Sequence, residues 1–547
     1  MLRMLKMLGG FCLGSLVWAQ AFEFGKLHPN AGGSQAESQN HSLTVVAPNA
    51  QRANGESAAS GSLTLQAALE SALRLHPLGR IREQQVAASR GALREASGIF
   101  DPVYSTGVEQ SFAPTPLTTF QQDSIAGFKS AGLNITTFSA GASRLYGNGI
   151  SAGPILELDR TRDHYLNLAG VNQSRLAYQV VLPLLRNRGA EVVGARVNAA
   201  GIQVEASVLD LTQTVSDLLT NTAAAYWELA GAQRFLEVAL SSERRGQTLL
   251  ENVQDLVEAD RIPRNDIHQV RANLAERIAT RVAAAQQMVV ARQQLGLAMG
   301  LPPQSISDIP DPSQNLPELP APPGEDAARI YTELALAQRA DYLAARRRVD
   351  AERALLAQAR NALRPAINLT ISAGYRGLSE GVYPSSYLAS VYRGVRGMDV
   401  AGGVRYEFAP RNNAALGRLA QVEASIRQAE LTAADIARSV AAEVANALAG
   451  VRNARLRLEK ARQSVDAFQA ALDGEREKYR LGFGSLVDIL TIEDRLTASL
   501  AVEVRARLDA AIELARLRRA TGTLVAPGAA APAADALAFM TYPRTEP

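Results

Sequence analysis

The stretch 479-YRLGFGSLVDILTIEDRL-496 interrupts a run of long, charged, alanine-rich helical sequence with a single Gly-Phe-Gly-Ser break, after which helical periodicity resumes at once. A break this short between two helices makes an antiparallel αα-hairpin. The surrounding sequence therefore decides the fold: what flanks the hairpin, how often it recurs, and where its tip lies.

The hairpin recurs. At a constant shift of 222 residues Arg196 aligns with Arg418, Ala225 with Ala447, Leu236 with Leu458, Asp266 with Asp488, Leu274 with Leu496 and Gly300 with Gly522. An earlier segment repeats at a shift of 263, where Arg90 meets Arg353, Leu93 meets Leu356 and Pro102 meets Pro365. The difference in shift places about 41 extra residues between Pro102 and Arg196 of the first half. Each half reads as short helix, strand region, long helix, tight turn and short helix. The first repeat is 62–300, with strands within 103–182 and a helical hairpin over 190–300; the second is 326–524, with strands within 366–410 and a hairpin over 412–522. Eight prolines between 301 and 325 forbid helix and mark an extended linker. Residues 22–61 and 525–547, rich in Gly, Ser, Asn, Ala and Pro, read as poorly ordered tails.

Leu211, Val215, Leu218, Thr222, Ala225, Leu229, Ala232, Leu236 and Ala239 recur at spacings of three and four, a narrow coiled-coil seam in which alanine permits close helix approach. An ordinary rod would carry the same seam. The strands are more telling. In AINLTISAGY, Ile367, Leu369, Ile371, Ala373 and Tyr375 alternate with Asn368, Thr370, Ser372 and Gly374; GVRYEFAP sets Val404, Tyr406 and Phe408 against Arg405 and Glu407. LAYQVVLPLL alternates similarly through Leu176, Tyr178, Val180 and Leu182, and VYSTGVEQSF more weakly. Period two of this kind builds a sheet with one apolar and one polar face, either packed on helices in a soluble domain or standing in a bilayer. Residues 129–160 add an extra hairpin or an outer loop, leaving two clear strands in each half and four in the chain. Four strands cannot close alone in hydrocarbon. Two copies would give eight strands, three twelve, wide enough for a channel.

The opening MLRMLKMLGGFCLGSLVWAQA, with Arg3 and Lys6 before an apolar run and Ala19-Gln20-Ala21, has the pattern of a secretory signal peptide spanning 1–21. Cys12, the single cysteine, follows Phe11 where a lipidated cysteine needs a small residue. No later segment has the roughly 18 apolar residues of a membrane-spanning helix. A formal charge of +3 over 547 residues, with no basic run interleaved with aromatics, argues against nucleic acid. GISAG at 149–153 matches a nucleophile-elbow pattern but precedes Pro154 in a strand-and-loop region rather than a strand-to-helix turn. His28, His41, His76, His164 and His268 lack ligand spacing, and there is no phosphate-cradling glycine loop. These residues point to no enzyme, metal or cofactor.

Taken together, LTLQAALESAL, AAAYWELAGAQ, LPLLRNRG, YRLGFGSLVDIL and Gly522, in their duplicated order over about 62–524, resemble the TolC family of bacterial outer membrane efflux proteins. The resemblance implies a mostly α chain with a β-barrel portion: a homotrimer whose twelve-stranded membrane β-barrel continues into a periplasmic α-helical barrel. It implies a passive outer membrane exit duct that partners a periplasmic adaptor (membrane fusion protein) and an inner-membrane transporter. On that footing Arg261, Ile262, Pro263, Leu481, Gly482, Phe483, Gly484 and Ser485 form adaptor-contacting hairpin tips, and Asp266 and Asp488 a periplasmic gate. Ser485 to Asp488 is equally a capping box that merely starts a helix. ADRIPRND, with Ala259-Asp260 where the family usually has glycine, departs from the pattern and puts a symmetric adaptor footprint in doubt. The rival class is a secreted or periplasmic coiled-coil structural or adaptor protein without a pore.

Overall fold

The computed structural model describes residues 62–124, 129–163, 170–259, 263–313, 316–320, 324, 326–392, 395–481, 483–526 and 534–544. The expected signal peptide and N-terminal extension, and the tip residues Arg261, Ile262 and Gly482, lie outside them.

Each half opens with two short helices. Thr64 caps α1 (Leu65–Leu75) by accepting from the Ala67 N–H, and α2 (Pro77–Ser97) follows after His76 alone. His76 is extended because Pro77 disfavours a helical residue before it. The second half has the same break without a proline. Arg339, extended between α7 (Ala327–Gln338) and α8 (Ala340–Asn361), buries its guanidinium against Asp341 and Glu443 at 2.6 Å each.

The long helices are α5 (Ala195–Glu258), which follows the single turn α4 (Ala190–Val193), and α10 (Asn413–Arg480). The chain returns along α6 (Asp266–Ala298) and α11 (Leu486–Ala520). Both returns end identically. Gly300 and Gly522, at φ of +73° and +70°, close Schellman caps in which Leu301 and Thr523 donate to the Gly296 and Arg518 carbonyls. A Cβ on Gly300 would lie 2.5 Å from the His76 Cα, and one on Gly522 2.9 Å from the Arg339 nitrogen. The two repeats therefore place the end of the returning helix against the break in the short-helix pair. That joint is the physical reason for the aligned terminal glycines.

The largest core collects Leu65, Leu69, Leu219, Tyr226, Trp227, Leu229, Leu295 and Leu508 from α1, α5, α6 and α11. A second cluster joins Tyr331 and Ala335 to Val440, Val444 and Val451 and to Leu517. The seam of α5 is buried at Val215, Leu218, Thr222, Ala225, Leu229, Ala232 and Ala239 and half-buried at Leu211 and Leu236. The C-terminal segment, expected to be a disordered tail, contributes a short 3-10 helix, Ala536–Met540. Phe539, 1% exposed, meets Trp227 edge-on at 6.2 Å between ring centroids. Tyr542 packs on the second cluster and Arg518 donates to the Thr541 carbonyl, so a few anchoring residues hold the segment, which composition over the whole tail conceals.

The sheet corrects the strand count. Among the described residues it has six antiparallel strands in simple order: β1 (Val103–Pro116), β2 (Ser130–Leu145), β3 (Ser151–Asp163), β4 (Val171–Pro183), β5 (Ala366–Glu380) and β6 (Val395–Glu407). Two strands in the second half agree with the sequence reading; the first half has four, because the extra residues form the β2–β3 hairpin. Its pattern was illegible because apolar residues change phase within the strands. Leu133 and Ile135 occupy one face, Phe138 and Ala140 the other; in β3 Ile155 opposes Leu156 and Leu158. Pro154, within β3, also argues locally against an interior strand. Short helices α3 (Thr119–Ser124) and α9 (Pro384–Tyr392) lie in the β1–β2 and β5–β6 connections.

Candidate channel wall and hairpin tips

Register carries the alternation of β5 across the whole sheet. Opposite residues share a face, so the Ile367, Leu369, Ile371 face continues through Tyr406, Val404 and Val400 of β6, Leu182, Val180 and Tyr178 of β4, Leu156 and Leu158 of β3, Phe138 of β2, and Val108 and Tyr104 of β1. Much of this face has no cover in the chain, with Tyr104 78%, Val108 72%, Met398 87% and Val404 68% exposed, while α9 lies over part of it: Leu158 is 4% exposed, and Ser174 and Tyr375 donate to the Ser390 and Val391 carbonyls. Exposed apolar area of this extent marks a surface that another apolar phase occupies.

The opposite face is polar and internally paired. Asp399 accepts from Arg175 Nε at 2.6 Å and Arg376 Nε at 3.2 Å, Glu157 lies 3.5 Å from Arg175, and Arg175 also donates to Ser372. Thr137 donates to Asp159 at 2.7 Å. On the apolar face, charge occurs only towards strand ends, at Arg144, Arg160, Arg162 and Arg396. Arg160 and Arg162 donate to the Val382 carbonyl and Arg396 to that of Tyr392, at the two ends of α9. GISAG falls in the turn and first residues of β3; a Cβ on Gly153 would come within 1.8 Å of the Ala142 carbonyl oxygen, so the glycine serves strand packing rather than a nucleophile elbow.

At the far end of the helices the two hairpins pack together through Val253, Val270, Leu486 and Leu490, with Ile267 and Tyr479 against them. Ser485 caps α11, its hydroxyl accepting from the Val487 N–H at 3.2 Å; the reciprocal bond from Asp488 that would complete a capping box is not formed. Gly484 is required by contact, since a Cβ there would sit 2.7 Å from the Tyr479 nitrogen. Leu481, Phe483 and Val487 stand 57%, 86% and 48% exposed around the turn. Pro263 is exposed at the other tip, Asp266 is half-buried in the first turn of α6, and Asp488 is exposed in the first turn of α11.

The sequence reading missed two features here. Tyr479 has a buried hydroxyl without a hydrogen-bond partner, and burial, then the charge of Asp266, push its pKa upward. Arg277 and Glu493, 5% and 1% exposed, pair at 2.9 Å; Arg277 also reaches the Ser242 carbonyl and Asp494, while Arg476 donates to Glu493 at 2.6 Å. This network ties α5, α6, α10 and α11 together. Charged residues scattered over four helices at ordinary spacing left no local pattern to find it by. Among the described residues no helix is long and apolar enough to cross a membrane.

Comparison with known proteins places this geometry. Residues 332–523 match the family model for outer membrane efflux proteins. The match lies in the second half of the chain and agrees with the resemblance read from the sequence. The fold as a whole is that of solved outer-membrane channels. It is similar to the outer-membrane channel OprN (TM-score 0.61, 18% identity, covering 84% of this chain and 89% of that one). Similar too are the outer membrane protein VceC of Vibrio cholerae (0.59, 17%, 84% and 96%) and the CmeC outer membrane channel of Campylobacter jejuni (0.59, 15%, 90% and 94%). No curated protein matches the chain.

Proposed function

We propose that the protein is a passive exit duct in a bacterial outer membrane, a homotrimer whose sheets join into one barrel while its helices form a tube into the periplasm. The observation that carries this reading is the two-faced sheet. Its apolar face is widely exposed outside the patch under α9, its polar face holds most of the charged residues, and its edge strands β1 and β6 each pair on one side only among the described residues. A sheet with open edges cannot lie in hydrocarbon, because unpaired backbone groups there cost several kcal/mol each. Edges of neighbouring copies satisfy each other.

The exposed apolar trio Leu481, Phe483 and Val487 supports docking of a periplasmic adaptor, which brings an inner-membrane transporter to the entrance. Pro263 and Ser485 flank the same end. Asp266 and Asp488, near the start of their returning helices, act as the gate carboxylates, with the buried Arg277–Glu493 pair holding the hairpins together in the resting state. Cargo passes from periplasm to exterior without chemistry in this chain, and the transporter supplies the energy. Outer-membrane fractionation, heat-modifiable migration and single-channel conductance in planar bilayers test the reading. Recovery of the whole population as a soluble periplasmic protein would support the pore-free structural alternative instead.

A further inference from the structure

We infer that the β2–β3 hairpin is a wall segment of the barrel, so that a ring of three chains has eighteen strands rather than twelve and a correspondingly wide outer pore. The inference rests on the trimeric duct proposed above. Its own basis is register. β1 pairs with β2 from Val103↔Ser143 to Pro116↔Ser130, and β3 pairs with β4 from Ser151↔Val181 to Thr161↔Val171. β1 and β4 are not neighbours in the sheet, so no four-stranded wall exists beside which the hairpin could stand as a loop.

Through the middle of the hairpin the faces match those of its neighbours, although Leu133, Ile135 and Ile155 stand on the polar side. Phe138, Leu156 and Leu158 extend the apolar face; Thr137, Glu157 and Asp159 extend the polar one, and Glu157 joins the Arg175–Asp399 group on β4 and β6. Its turn is locked to the helical side. Gly189 donates to the Asn148 carbonyl at 3.1 Å, and Gly149, at φ +94°, has no room for a Cβ, which would fall 2.2 Å from the Asn187 oxygen. Six is even, so β1 of one copy and β6 of the next run antiparallel and close the ring without a parallel seam.

Strands about 4.8 Å apart and tilted about 40° give a backbone diameter of roughly 24 Å for about twelve strands and roughly 36 Å for about eighteen. Allowing roughly 5 Å of side chain on each wall leaves about 14 and about 26 Å of lumen. The outer barrel then imposes no second sieve, and the size limit lies at the hairpin tips alone. The cargo class that benefits is bulky hydrated solute or extended polypeptide.

The test compares the full-length protein with a variant lacking residues 129–163, whose loop residues still join β1 to β4. An electron cryomicroscopy map of the detergent-extracted wild-type complex is expected to show eighteen strands. In bilayers, poly(ethylene glycol) applied from the external side is expected to enter wild-type channels up to about twice the hydrodynamic radius admitted by the deletion variant. A wild-type ring of twelve strands, or the same polymer cut-off in both proteins with the variant trimeric and conducting, overturns the inference and leaves the duct standing. Absence of any ring from the wild type overturns the duct itself. Should the variant fail to assemble, the strand count in the wild-type map decides alone.

Discussion

Replacing Glu493 by leucine should loosen both hairpin tips. The Glu493 carboxylate is 1% exposed and accepts from Arg277 at 2.9 Å and Arg476 at 2.6 Å. Leucine fills much of the volume but leaves the Arg277 guanidinium, 5% exposed, with only the Ser242 carbonyl and the half-exposed Asp494. Removing one member of a buried ion pair costs about 3–5 kcal/mol, because the remaining charge stays desolvated. Arg476→Leu should cost less than about 1 kcal/mol, since Arg476 is 45% exposed and its loss leaves Glu493 paired with Arg277. Replacing Arg277 and Glu493 together by leucine should recover most of the loss, as apolar substitutes for a buried pair are often neutral or better. Hydrogen exchange suits a large oligomer that does not unfold in two states. Amides of 266–280 and 486–500 should exchange at least about a hundred-fold faster in Glu493→Leu. A change below about threefold, or a double variant looser than the single one, would refute the reasoning.

Gly522→Ala should destabilise by about 2 kcal/mol or more, combining left-handed backbone strain with a Cβ 2.9 Å from the Arg339 nitrogen. Gly474→Ala, within α10 and with open space around it, should stabilise by about 0.5–1 kcal/mol; thermal unfolding of the two variants checks both signs. Phe539→Ala should cost about 3–5 kcal/mol and make residues 534–544 sensitive to proteolysis, as the edge contact with Trp227 is lost. Phe483→Asp should abolish adaptor capture in cross-linking while changing stability by less than about 0.5 kcal/mol, because the ring is 86% exposed. Asp266→Asn with Asp488→Asn should raise anion relative to cation conductance; unchanged selectivity would confine both carboxylates to helix initiation.

Repetition made the helical architecture legible. Two hairpins in register, ending at Gly300 and Gly522, fix helix order and lengths, and the structure supplies the reason: both glycines press against a backbone break, at His76 and at Arg339. The sequence reading took each of those broken pairs as one short helix: Pro77 marks the first break locally, whereas Arg339 bonds Glu443 about a hundred residues away. The strands were legible where one face is uniformly apolar, as in β5, and illegible where phase changes, as in β2 and β3. At the tips, Phe483 and Gly484 were readable from the turn. Tyr479 and the Arg277–Glu493 pair required the neighbouring helices to be in place, because packing between hairpins selects them rather than any local spacing.

The claim beneath all of this is that β5 and its neighbours stand in a bilayer with one face to lipid and the other to water. Single cysteines at Asn368, Leu369 and Thr370, in a Cys12→Ser background, test it directly through reaction with a membrane-impermeant maleimide in intact cells. Positions 368 and 370 should react from the water-filled lumen while 369 stays unreactive until the membrane is dissolved in detergent. Equal reactivity at all three positions in intact membranes, or release of the labelled protein in soluble form, would contradict it.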